Sequence, residues 1–298
     1  MSRPSIVRRV WRIAGATIAL VLLSAVSLHG LSAWRAHAKY AVPEHPLTVI
    51  TDPATVAHGE RLATIRGCNE CHAANMGGRV MADDPAIGRL VSTNLTNGRR
   101  GGALSDRDWE RAVRHGVRGD STPLAVMPSH EFTGFADEDL AAIVAWTRSL
   151  PPVSDSLPAL QVGPLARALH IAGELVLYPA ERIDHSAAHP ARVVPSATAS
   201  YGAYMAAGCM GCHGPTFAGG KIAGAPPEWP SAANLTPAGM QAYDQARFIA
   251  LMRTGKRPDG SLVRAPMDPR MTGVMTDLEL RAIWAFLQTL PPRETGAR

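Results

Sequence analysis

The chain has 298 residues, 46% of them hydrophobic and 18% charged, a globular balance that excludes a disordered or fibrous polymer. Its net charge of +5 is an N-terminal property, because Arg3, Arg8, Arg9, Arg12, Arg35 and Lys39 precede residue 41 without one acid. The remainder holds 24 basic and 25 acidic side chains, so the charge gives no argument for nucleic acid.

In chain order, the first feature is Ile13–Trp34, 22 residues without a charge. A signal-peptide core runs about 7–15 residues, while a spanning helix needs roughly 20. The length favours a transmembrane anchor over residues 1–40, although Ala36-His37-Ala38 offers a cleavage site and a removable signal stays open. The basic flank places residues 1–12 in the cytoplasm and the rest outside, in the periplasm of a bacterial inner-membrane protein with one N-terminal span.

Gly59–Arg66 reads as a helix leading into Cys68-Asn69-Glu70-Cys71-His72. Asn94-Leu95-Thr96 follows, then a short helix Asp106–His115, then Met127. Asp137 opens a helix whose Leu140, Ile143, Val144 and Thr147 keep a helical period, and Pro151-Pro152 stops it. Residues 153–195 are a Pro- and Ala-rich linker in which Leu165, Leu169, Ala172 and Val176 share a helical face. That pattern predicts a packing element between domains in preference to a membrane-surface helix.

The series then repeats. Gly202–Ala207 leads into Cys209-Met210-Gly211-Cys212-His213, and Asn234-Leu235-Thr236 and a helix Asp244–Thr254 precede Met267. A last helix from Thr276-Asp277 ends at Pro291-Pro292. Met127–Pro152 and Met267–Pro292 align without a gap at an offset of 140, and the Cys-containing runs at 141. Two copies of one domain follow, 41–152 and 196–298. Alternating strand patterns are absent, which predicts an all-α fold. Aromatic side chains make up only 5%, so a bulky apolar group is expected to fill part of each core.

All four cysteines belong to the two Cys-x-x-Cys-His runs, the pattern of c-type haem attachment. Two thiols at that spacing add to the two vinyl groups of one porphyrin, and the next histidine becomes an axial ligand. A thioredoxin-like pair has no need of the histidine, and a zinc site would gather both pairs, or one Cys pair and a separate His pair, on one metal. Cys68, Cys71, Cys209 and Cys212 are therefore the expected attachment points of two covalent haems c, with His72 and His213 on the irons. Met127 lies 55 residues after His72 and Met267 lies 54 after His213; their coincidence in the alignment marks them as the sixth ligands. Met271 is the rival in the second copy. Met76, Met81, Met252 and Met275 read as core, and His115 and His130 as surface or polar-core residues without counterparts. Asn94 and Asn234 suit a haem propionate or a turn equally.

These motifs, closed by a helix ending Leu-Pro-Pro, resemble class I cytochrome c domains over residues 55–152 and 198–292. More narrowly, the chain resembles the multihaem membrane cytochrome subunits that serve periplasmic dehydrogenases for alcohols, sugar acids and N-heterocycles, many of which carry three haems. The resemblance implies an all-helical fold around each haem and His/Met ligation. It also implies electron relay from a dehydrogenase to another cytochrome, an oxidase or a quinone-linked complex of the respiratory chain. Two six-coordinate irons leave no place for a substrate, so the expectation is an electron-transfer protein with no catalytic residue of its own. The alternative is a dihaem redox enzyme such as a cytochrome c peroxidase, which needs one open iron.

Overall fold

The uncharged N-terminal run lies within one helix, α1 (Arg3–Ala36), in the computed structural model, which describes residues 3–98, 103–154, 157–222, 225 and 228–297. From Val7 to Ala36 the helix is long and apolar enough to cross a membrane, with a mean hydropathy of 1.9 and its apolar window fully exposed. Leu20, Leu23 and Val26 have no protein neighbours to cover them. Their exposure suits a surrounding that is itself apolar.

The first repeat opens with α2 (Pro53–Ile65), whose N-cap Asp52 accepts the amides of Ala54 and Thr55, while Pro53 has no amide to satisfy. α3 (Cys68–His72) follows, then strands β1 (Arg79–Asp84) and β2 (Gly88–Ser92). α4 (Asp106–His115) is closed by a Ser105/Asp108 capping box and by the left-handed Gly116. α5 (Asp137–Ser149) buries Leu140, Ile143, Val144 and Thr147, the face read from its periodicity.

α2 and α5 cross so closely that a Cβ on Gly59 would sit 1.9 Å from the Ala142 carbonyl oxygen. Only glycine permits that approach. Substituting Gly59 by alanine must force the helices apart, and overpacking of this kind costs about 3 kcal/mol. The expected result is a lowered thermal midpoint with haem content unchanged in the fraction that folds. An unchanged midpoint would mean that the crossing is not as tight as described.

The linker contributes β3 (Gln161–Val162) and α6 (Pro164–Ile171). Here the all-α expectation needs correction. β1 and β2 form an antiparallel hairpin, and β3 adds to it through Gly88↔Val162 and Arg89↔Gln161. The Asp84 carboxylate makes the turn by accepting the Ala86 and Ile87 amides. A register irregularity between Val80 and Ala82 breaks the alternation, which is why no strand period shows in the sequence.

α6 is present where a helical face was expected, but its buried residues are Ala166 and His170, while Leu165 is exposed. It packs not between the domains but on the end of α1, where Arg167 donates to the buried Ser32 hydroxyl at 2.8 Å. Arg35 of α1 is 3.5 Å from Glu181, a second tie between the anchor and the linker. Farther on, the Pro190 and Ala191 carbonyls accept the Asp137 and Glu138 amides, doing for the start of α5 what its N-cap Ala136 cannot.

The second repeat has α7 (Ala199–Ala206), α8 (Met210–His213), α9 (Gln245–Thr254), α10 (Pro269–Thr272) and α11 (Asp277–Leu287). α7 and α11 cross as α2 and α5 do, with the Cβ position of Gly202 1.9 Å from the Ala282 carbonyl oxygen. Leu280, like Leu140, is fully buried, and each such side chain contributes roughly 2 kcal/mol. Ile65 of the first repeat packs in the core of the second, so the two halves share a wall.

Candidate cofactor site

Each Cys-x-x-Cys-His run folds as a short helical turn, α3 or the 3₁₀ turn Ala207–Cys209 with α8. Cys68 and Cys209 are half-buried, Cys71 and Cys212 exposed, and all four are free. Burial pushes the Cys68 thiol up to about 12 and the Cys209 thiol up to about 11, with Arg66 pulling both the other way. A redox or nucleophilic cysteine needs the opposite, a stabilised thiolate.

The histidines carry the strongest structural sign. His72 Nδ1 lies 2.8 Å from the Thr93 carbonyl oxygen, and His213 Nδ1 lies 2.7 Å from that of Ala233. A carbonyl can only accept, so Nδ1 holds the proton and Nε2 keeps its lone pair. Desolvation also lowers both imidazole pKa values, which keeps the rings neutral. This is the arrangement that orients a histidine for a metal. The hairpin has a part in it: β2 ends at Ser92, whose hydroxyl donates to the Cys71 carbonyl at 2.6 Å, and Thr93 comes next. In the second repeat an isolated bridge, Gly220↔Ala232, stands beside Ala233 instead.

Met127 and Met267 are half-buried and pack on the cores of the first and second repeats. The Met271 methyl instead faces the other repeat, 3.0 Å from the Cβ position of Gly67. Met76, Met252 and Met275 are buried as core residues, and Met81 is half-buried in β1. Asn94 and Asn234 spend their amides on the chain. Asn94 Oδ1 accepts from the amide and hydroxyl of Thr96 while Nδ2 donates to Val153, and Asn234 does the same with Thr236 and Arg293. They clamp a turn to the segment beyond Pro151-Pro152 and Pro291-Pro292. His115 is buried and His130 half-buried with its Nδ1 unpartnered.

Three features were not read from the sequence. Met76 and Phe217, five residues beyond Cys71 and Cys212, both hold left-handed backbone and are buried. Their amides bond to Ala73 and Gly214, and their carbonyls receive Leu95 and Leu235. The offset of 141, carried past the cysteines, would have paired them. The second feature is Arg66, whose guanidinium donates to the Tyr204 and Met205 carbonyls and lies 4.9 Å from the Phe135 ring centroid. The third is a reciprocal reach between the halves. Glu131 stands where a Cβ on Gly211 would meet its Oε1 at 2.6 Å, while Met271 stands against Gly67. Glu131 and Met271 occupy equivalent places at the offset of 140. Asp139 and Glu279 form a similar pair, Asp139 receiving Tyr204 and Glu279 receiving Arg61 at 2.7 and 2.8 Å. Burial raises the Glu131 carboxyl to about 7.

Donors of this kind fit a haem c: two thiols spaced for two vinyl groups, an imidazole with its lone pair freed, and a thioether sulfur on the same core. Residues 54–146 match the family model of the cytochrome C oxidase, cbb3-type, subunit III, and residues 199–291 match that of cytochrome c. A subunit of the nicotinate dehydrogenase of Pseudomonas putida is 28% identical over 86% of this chain and 23% of its own length. Two cytochrome c subunits of alcohol dehydrogenase (quinone) are also similar. That of Gluconobacter oxydans is 26% identical over 92% of this chain and 61% of its own. That of Gluconacetobacter polyoxogenes is 28% identical over 81% and 57%. The chain spans about a quarter of the first relative and about three fifths of the other two.

Proposed function

The chain is a c-type cytochrome with two cytochrome c domains, and from that premise we propose that it carries two covalent haems c and relays electrons from a dehydrogenase toward the respiratory chain. Cys68, Cys71 and His72 would hold one haem and Cys209, Cys212 and His213 the other, with Met127 and Met267 completing the ligand sets. The group supplies one-electron cycling of its iron. The chain supplies the rest: the Thr93 and Ala233 carbonyls fix the ring orientation of the two histidines, and the methionines offer a soft donor that favours reduced iron. Met271, turned toward Gly67, is left out of the ligand set.

The observation that carries the reading is the identical Nδ1 lock on both histidines. The test is carbon monoxide added to the reduced protein. Two capped irons should leave the spectrum unchanged, whereas fast, stoichiometric binding to one haem would favour a dihaem enzyme such as a peroxidase. The dehydrogenase partner is supported by the relatives, whose names are those of dehydrogenase subunits.

The proposed anchor is residues 1–40, with domains at 41–152 and 196–298 facing the periplasm and 153–195 between them. The 30 residues from Val7 to Ala36 span roughly 45 Å at 1.5 Å per residue, ample for a hydrocarbon core of about 30 Å. Wild-type protein should therefore stay in the membrane fraction through high-salt washing. Exchange of residues 1–38 for a cleavable signal should release a soluble protein with both haems. A mature wild-type N-terminus at Lys39 would overturn the anchor.

A further inference from the structure

His115, at the end of α4, meets two histidines of the linker over the buried Glu110. His185 Nε2 faces the Ala180 carbonyl at 3.2 Å and must carry the proton, so its Nδ1 is an acceptor. His115 Nδ1, 3.0 Å from that acceptor, must then donate. The neutral His115 ring is left with a lone pair on Nε2, aimed at Glu110 Oε1 from 3.2 Å. Two acceptors face each other there. His189 comes to the same place with Nδ1 buried and unpartnered. One ligand atom from each of Glu110, His115 and His189 lies within 4.8 Å of the others.

We propose that Glu110, His115 and His189 form a divalent transition-metal site, best suited to zinc, separate from the haem sites. Two imidazole nitrogens and a carboxylate, with water in the fourth position, are a known zinc donor set. Tetrahedral zinc with bonds near 2.1 Å sets its ligands about 3.4 Å apart, so the His115–Glu110 pair, at 3.2 Å, is already near that spacing, and His189 lies within 4.8 Å of both. The remaining His115 nitrogen is held by His185, itself fixed on the Ala180 carbonyl, the kind of outer partner that orients a metal-binding histidine.

The charged neighbours are accounted for. Arg114 Nη1 lies 3.8 Å from Glu110, but its Nη2 pairs with Asp137 at 2.6 Å, and Asp137 also takes His45 at 2.9 Å. Arg111, one residue from Glu110, is turned to Arg118 and Ser121. Glu110 thus has the buried Arg114 Nη1 and His115 beside it, and a bound cation would share the carboxylate with them. The second repeat has Thr254-Gly255 in place of His115, so the site belongs to the first repeat and the linker that crosses it.

The test uses the full-length, two-haem protein without a histidine tag, treated with chelator and dialysed against zinc. Zinc and iron are then measured together by mass spectrometry. The expected result is one tight zinc for every two irons. His189→Ala, a half-buried linker position, and Glu110→Gln should each weaken binding about tenfold or more with the haem spectrum unchanged. Should Glu110→Gln fail to fold, His189→Ala alone decides. Zinc bound no more tightly by the wild type than by His189→Ala would overturn the site and leave a plain imidazolium–carboxylate pair between His115 and Glu110.

Discussion

Alanine at both Cys68 and Cys71 should halve the covalent haem of the protein. On the proposed reading each cysteine pair serves one porphyrin, and no other cysteine could replace the first pair, because the remaining two thiols are Cys209 and Cys212. Pyridine haemochrome absorbance per chain should fall from two haems to one, and a haem stain after denaturing electrophoresis should weaken by half. The variant should be less stable than the wild type as well, since the first repeat would lose a bulky apolar group. Wild-type protein that shows no haem stain under denaturing conditions would end the reading of both motifs at once.

Met127→Ala should convert one haem of the two to a high-spin or water-bound form and lower its potential, leaving the other unchanged. Met267→Ala should do the same to the second haem. Carbon monoxide, refused by the wild type, should then bind one haem per chain in either variant. Met271→Ala serves as the control, for its methyl group faces Gly67 of the other repeat. Loss of the sulfur-to-iron charge-transfer band of the second haem in Met271→Ala alone would displace Met267 from the ligand set.

Much of this architecture is legible in the sequence because it is written twice. The Cys-x-x-Cys-His runs, the methionines and the closing helices each have a counterpart, and the buried face of α5 follows the period that was read from it. What escaped has physical reasons. The hairpin is short, its pattern is broken by an irregularity, and its turn depends on Asp84, which marks no strand by itself. The buried face of α6 is Ala166 and His170, on a helix that packs against α1, which no local pattern announces. The Asn-Leu-Thr motif allowed two roles, and only the position of the segment beyond each Pro-Pro pair shows the amides occupied. Contacts between the halves were out of reach altogether. Arg61 and Glu279 are 218 residues apart, and no local pattern announces such a pair.

Those contacts bear on direction. A junction assembled from equivalent parts, with Glu131 laid on one attachment turn and Met271 on the other, is close to a mirror of itself. Such a junction would offer electrons no preferred direction by its shape alone. Any one-way character must come from the places where the mirror fails. One is the exchange of a carboxyl for a thioether, which sets a titratable acid of the first repeat against the turn that holds Cys212, while Gly67, before the first attachment turn, receives only an uncharged methionine methyl in return. Another is the berth of the anchor, since Lys39 and Tyr40 tie the chain after α1 to Asp120 and Ser121 of the first repeat. The half fastened to the anchor and the half farther from it are thereby told apart by position and by one charge.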